Sequence, residues 1–206
     1  IKNYARDTSK PYIAATIEFY PEEGKYHFSG HRNCNVRWSP EEVTQKGTIC
    51  PVCGKPITIG VLNRVEALAG RSEADLKIIK KPLGNLPISA IYSEAFANRA
   101  PYIMLVPLLE ILAEVHKTQS YSQKVFSEYE RLVANFGGEF NTLVRANIDE
   151  IAKIAGPHTA DGIDKVRRGD IEIIPGYDGV FGTVKVWKDE VDDTSQPNQK
   201  EQLSLF

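Results

Sequence analysis

The feature that most constrains this chain is a ligand pattern within residues 31–53. It reads His31-Arg32-Asn33-Cys34, then fifteen residues, then Cys50-Pro51-Val52-Cys53. A closed tetrahedral zinc site needs two such pairs, because a two-residue separation lets one tight turn point both partners at the same ion. Gly54 follows the second pair, where a backbone bending round a thiolate benefits from having no Cβ. Pro51 stiffens that turn. The spacer predicts a short helix: Ser39-Pro40-Glu41-Glu42 is a capping box with proline at the first helical position, and Gly47 marks its end. His31, Cys34, Cys50 and Cys53 are therefore the expected ligands of a structural zinc ion. His27, four residues upstream, competes with His31 for the fourth place. A redox reading of Cys50 and Cys53 lacks the surrounding βαβ pattern and leaves the first pair unexplained.

The chain has 206 residues, room for one large domain or two small ones, with 42% hydrophobic and 25% charged residues. Its three cysteines all fall in the ligand window. An odd number clustered at one metal pattern argues for a reducing, cytoplasmic setting rather than a disulfide scaffold. No apolar run reaches the length of a membrane span and no signal peptide opens the chain, so no membrane partner is expected. The net charge is −2, so any nucleic-acid contact must come from a local basic surface. The chain opens on Ile1 and runs directly into strand-like sequence, as expected of a fragment whose upstream partner is missing.

The periodicity predicts an α+β fold: a small zinc-binding module followed by a mainly helical domain with a C-terminal β-hairpin. Residues 12–20 read as a strand buried on both faces, the edge of a larger sheet. Pro21-Glu22-Glu23-Gly24 reads as a turn and Lys25-Tyr26-His27-Phe28 as a second short strand. Residues 60–70 predict a helix with Val61, Leu62, Val65, Leu68 and Ala69 on one core-facing side. Residues 71–86 read as a polar loop and 89–98 as a helix. Residues 101–106 read as extended, 107–116 as a helix, and 121–136 as an amphipathic helix with Val125, Phe126, Tyr129, Leu132 and Val133 along one stripe. Residues 139–169 are helical and close in an αα-hairpin at Gly156-Pro157-His158. Its order is similar to the DNA-gripping helix-hairpin-helix, but the second glycine is absent. Residues 171–174 and 180–187 predict two strands round Pro175-Gly176-Tyr177-Asp178-Gly179. Residues 188–201 are polar and acidic, as in a disordered linker. Gln202-Leu203-Ser204-Leu205-Phe206 then places apolar anchors at a free end, suited to a partner's groove.

Lys25-Tyr26-His27, the zinc pattern, Gly60-Val61-Leu62 and the Pro175-Gly176-Tyr177-Asp178-Gly179 turn together resemble the C-terminal part of endonuclease Q. The resemblance runs to about Trp187. It implies an upstream polymerase-and-histidinol-phosphatase (PHP) domain and nicking of DNA on the 5′ side of deaminated bases (hypoxanthine, uracil) or abasic sites. It also implies divalent catalytic metals in that upstream domain, since no HxH or aspartate cluster occurs here. The C-terminal pentapeptide is similar to the one by which bacterial repair proteins bind the sliding clamp, with Gln202, Leu203, Leu205 and Phe206 as contacts.

These readings divide the chain into residues 1–28 as the C-terminal edge of the upstream domain, 29–58 as the zinc module, 59–187 as the helical domain with its hairpin, and 188–206 as the tail. Damaged DNA is the expected partner, met by Lys25, Arg32, Arg37, Lys55, Tyr177 and Asp178, with Tyr177 stacking or wedging. His27 is the candidate nearest to catalysis, facing the upstream site. By itself the chain is expected not to cut DNA. A non-catalytic zinc-containing adaptor and a PHP-type esterase of small phosphates are the alternatives.

Overall fold

A computed structural model describes residues 13–188. The N-terminal part contains strands β1 (Thr16–Glu18), β2 (Ser29–His31) and β3 (Val36–Trp38) and helices α1 (Pro40–Lys46) and α2 (Val61–Leu68). Strands β4 (Ile78–Pro82), β5 (Ser89–Ser93) and β6 (Tyr102–Met104) follow. Five helices come next: α3 (Leu108–Val115), α4 (Gln123–Phe136), α5 (Glu139–Val144), α6 (Ile148–Ala155) and α7 (Pro157–Arg168). The hairpin β7 (Glu172–Ile174) and β8 (Thr183–Lys185) closes the described chain. The α+β architecture, with a small cysteine- and histidine-bearing module, a helical body and a C-terminal hairpin, is the one expected. No described helix is long and apolar enough to cross a membrane.

Two apolar clusters organise the molecule. The large one is built from the helices and the sheet, with Leu108, Ile111, Leu112, Val125, Leu132, Ile151 and Ile163 fully withdrawn from solvent. It forms because α3, α4, α6 and α7 each place apolar residues three or four apart on one side. The helix ends are satisfied by side chains. Ser122 Oγ accepts from Val125 N–H at the start of α4, and Glu139 accepts from Leu108 N–H at 2.8 Å while its other oxygen accepts from the Tyr129 hydroxyl. Arg167 is buried and donates to the carbonyls of Thr142, Leu143 and Ala146, acceptors that the end of α5 leaves without helical partners. The small cluster is Val36, Trp38, Val43, Cys50 and Ile57, with Cys34 against it. It is the core of the zinc-pattern module, and α1 carries the capping box expected at Ser39 and Glu42.

The sheet order is β1-β6-β5-β4, with β1 parallel to β6 and the other pairs antiparallel. Here the structure corrects several expectations. Residues 78–82 are a strand, not loop: the Lys80-Lys81-Pro82 polarity that suggests a loop also suits an exposed edge strand. Residues 89–93 are a strand, not the start of a helix, because pairing on both sides and full burial of Ala90 outweigh local helical pattern. Lys25, Tyr26 and His27 form a turn: Gly24 O accepts from His27 N–H, and regular pairing begins only at Phe28, which bridges Tyr177. β1 is exposed along its three residues rather than buried on both faces, since it lies at the sheet edge. The apolar side of α2 is not core, with Val61 62%, Val65 52% and Leu68 66% exposed. Phe126 in α4 is likewise exposed, while Val125 and Leu132 carry the buried stripe. The αα-hairpin turns at Gly156, whose φ of 92° excludes ordinary side-chain-bearing residues.

Candidate metal centre and nucleic-acid face

The module begins with β2 and β3 pairing antiparallel, so that His31 opposes Val36 across a short turn. Asn35 closes that turn in the left-handed region at φ 51°, a conformation asparagine tolerates. The turn swings Cys34 back beside His31. The second pair comes from a knuckle in which Cys50 O accepts from Gly54 N–H and Cys50 N–H donates to Lys55 O, with Gly54 at φ 70°. His31, Cys34, Cys50 and Cys53 thus offer donor atoms that all lie within 4.8 Å of one another, and His31 Nδ1 is 3.3 Å from Cys53 Sγ. Ligands at about 2.0–2.3 Å from a tetrahedral ion stand a little under 4 Å apart, so the four donors need only a slight contraction to close on one ion. Three thiols and one imidazole are the donor set of a closed structural site. His27 stands outside this group: its ring stacks on Phe28 and its carbonyl accepts from Leu62 N–H.

The thiols are not equivalent. Burial pushes Cys50 up, but backbone N–H groups of Cys53 and Val52, with His31 and Cys53 beside it, outweigh burial and bring it down to about 6. Burial and the neighbouring Cys53 and Cys50 push Cys34 up to about 11. A cation bound by these thiols displaces the protons they still carry.

The hairpin loop between β7 and β8 is stitched by backbone bonds onto residues 22–28, the segment that leads into this module. Phe28 N–H donates to Gly176 O, Gly176 N–H to Glu22 O, Gly179 N–H to Lys25 O and Gly182 N–H to Glu23 O, at 2.8–3.0 Å. Asp178 binds both sides of the module, accepting from Arg32 N–H at 2.7 Å and from the Thr58 hydroxyl. Burial pushes its carboxyl up, but the Thr58 and Arg32 donors outweigh that and hold it below the usual carboxylate range. Tyr177 is buried against Gly30, with its hydroxyl on Asn35 Oδ1 at 2.9 Å and Arg37 over its ring at 5.9 Å. Tyr177 and Asp178 thus brace the loop, and the Tyr177 ring, expected to stack or wedge, is buried against the module. The turn sequence signals a tight loop but not which side of it faces the module.

Lys25, Arg32, Arg37 and Lys55 are all exposed. The structure brings three of them to the hairpin loop. Arg37 donates to Pro175 O, Arg32 meets Asp178 and Gly179, and Lys25 sits beside the loop, whereas Lys55 lies on the second knuckle. Two residues missed in the sequence join them: Tyr26, 45% exposed, and Phe181, 63% exposed. Lys25 Nζ is 5.7 Å from the Tyr26 ring and 5.5 Å from the Phe181 ring. Phe181 stands between Val180 and Gly182 just past a turn, an apolar position with no periodicity to bury it. That was the available signal.

Comparison with known proteins sets this arrangement in context. One crystal structure superposes on 88% of the chain with a TM-score of 0.64 and 26% identity. It is the lesion-specific endonuclease PfuEndoQ from Pyrococcus furiosus. The likeness is to endonuclease Q. A second endonuclease Q structure, a complex with a 27-mer duplex substrate carrying an abasic lesion at the active site, superposes on 87% with a TM-score of 0.59 and 27% identity. Protein MJ0043 of Methanocaldococcus jannaschii is 33% identical over 172 residues, or 84% of the chain, and the family described as the MJ0043 C-terminal domain matches residues 107–170. The chain spans 41% of each endonuclease Q chain and 19% of MJ0043.

Proposed function

We propose that this chain is the zinc-clamped, DNA-contacting part of a larger lesion-specific endonuclease that works as endonuclease Q does. The observation that carries this reading is the superposition of nearly nine-tenths of the chain on endonuclease Q, joined to a local basic and aromatic surface beside the metal cluster. The cluster itself suits structure rather than hydrolysis. Four soft donors leave no open position for water, so zinc held by His31, Cys34, Cys50 and Cys53 would fix the module and nothing more. Hydrolysis of the phosphodiester falls to divalent metals in a PHP domain of the whole protein.

On this reading the lesion nucleotide is extruded for inspection, at lowest cost where the base is deaminated, mispaired or missing. Lys25, Arg32, Arg37 and Lys55 neutralise phosphates nearby. Tyr177 and Asp178 serve the interface by holding the loop. His27, packed on Phe28 away from the cluster, keeps the backbone turn that presents Lys25 and Tyr26. The acidic linker and Gln202, Leu203, Leu205 and Phe206 lie outside the described residues. They tether the enzyme to a bacterial-type sliding clamp, and removing 202–206 should end clamp capture.

The experiment is a salt titration of the chain binding a duplex with a single abasic site. Each phosphate contact contributes roughly 0.9 to the slope of log affinity against log salt, so Arg37→Ala with Lys55→Ala should lower the slope by about 1.8. An unchanged slope would refute the phosphate assignment. Equal affinity for intact and abasic duplexes would refute the lesion-recognition role.

A further inference from the structure

We infer that Phe181 and Tyr26 form an aromatic platform on which an unstacked nucleobase lies, with Lys25 as the cation that holds the platform and meets the adjoining phosphate. This rests on the DNA-contacting role just proposed and names the groups that would read an opened base.

The two rings come from parts of the chain more than 150 residues apart, Tyr26 from the turn before β2 and Phe181 from the loop before β8. The fold brings both within reach of a single ammonium, Lys25 Nζ. They are held there firmly. The loop that carries Phe181 is bonded through Gly176, Gly179 and Gly182 to the carbonyls of Glu22, Lys25 and Glu23. No side chain fits at Gly182, where a Cβ would collide with the Glu22 carbonyl and with Gly176. At Gly179 an added Cβ would lie 3.2 Å from Arg32 Nη1 and 3.7 Å from the Tyr26 hydroxyl, so the guanidinium and the phenol converge over one bare stretch of backbone. A phenylalanine left 63% exposed on so constrained a loop contributes nothing to the core. Its ring is presented, not tucked away.

The charge around the platform selects the occupant. Among the described residues, Lys25, Arg32 and Arg37 form no ion pair with a carboxylate. Asp178, the acid beside Arg32, is already engaged by Arg32 N–H and the Thr58 hydroxyl. Exposed rings flanked by unneutralised cations suit a polyanion that also offers flat π-faces, which is a nucleic-acid strand with a base out of its stack. An acidic peptide would satisfy the cations and leave the two rings without partners.

The test uses the chain with an abasic duplex carrying 2-aminopurine opposite the lesion as a fluorescent orphan base. Phe181→Ala should weaken binding roughly five- to hundredfold, the range for loss of one stacked base, and should abolish the quenching of 2-aminopurine. Phe181→Trp should restore both. The salt slope should stay that of the parent, since no charge is removed. Because Phe181 is exposed, the alanine variant should keep its circular dichroism and its metal content, which separates lost stacking from lost fold. If Phe181→Ala binds and quenches like the parent while the parent still prefers the abasic duplex, the platform is wrong and the DNA-contacting role stands. If the parent shows no such preference, both fall together.

Discussion

Asp178 links the end of the described chain to both halves of the metal module, so its removal gives the sharpest measure of how strongly the two are joined. Its carboxylate accepts from Arg32 N–H at 2.7 Å and from the Thr58 hydroxyl. Hydrogen bonds to a charged acceptor are worth about 1.5–3 kcal/mol when buried, and here water can replace either donor, so each contributes about 1 kcal/mol. Asp178→Ala should then cost about 2 kcal/mol and lower Tm by roughly 4–8 °C for a chain of this size. Asp178→Asn keeps one acceptor oxygen and should cost about half as much. Thermal unfolding followed by circular dichroism measures these values, and a cycle with Thr58→Val should return a coupling of about 1 kcal/mol. Additivity of the two changes would refute the bracing argument, because the hydroxyl would then do no more for Asp178 than solvent does. The pH dependence follows from the depressed carboxyl. Its folded pKa lies below the unfolded value of about 3.9, so the stabilisation is present above that pH and is lost as pH falls through the folded value. Asp178→Asn should flatten that part of the acid limb.

Three further outcomes follow from the packing. Gly30→Ala should destabilise by about 2 kcal/mol or more in denaturant titration, since its Cβ would overlap the Val36 carbonyl and the Tyr177 ring. Arg167→Met removes three hydrogen bonds to the end of α5 but also a buried charge, and should show a net loss of about 2–3 kcal/mol by the same titration; a gain in stability would mean that desolvation dominates. Chelation, or Cys50→Ser, should take the metal content from one ion per chain toward zero and shift the fluorescence of Trp38, whose small core includes Cys34 and Cys50.

The parts of this fold legible in sequence are those set by short-range chemistry. The two ligand pairs, the Ser39–Glu42 cap, the glycine at 156 and the helices α3, α4 and α6 each rest on signals within a few residues, and each appears where expected. The misread elements are those decided by partners outside the segment itself. Residues 78–82 and 89–93 become strands because they pair with each other as a hairpin, and β5 also pairs with β6, contacts that the pattern within either segment does not show. Tyr177 turns inward because Gly30, lying far earlier in the chain, leaves room for its ring. Phe181 and Tyr26 escaped notice for the same reason: an exposed aromatic has meaning only beside the cation it meets in space. The apolar side of α2 shows the opposite failure, a helical stripe that is real in sequence yet turned to solvent.

The contact between Arg32 and Asp178 spans 146 positions of chain. During synthesis the cysteine knuckles leave the ribosome well before the loop that seats against them. The loop that seats against them emerges only after the whole helical body has been made. A nascent chain therefore passes through an interval in which the module is made but Gly30 and Asn35 still lack their tyrosine. Final docking is a late, long-range closure, the kind of step that slows maturation. Translation that stalls before residue 177 would leave the module with the Gly30 and Asn35 side of the docking seam uncovered.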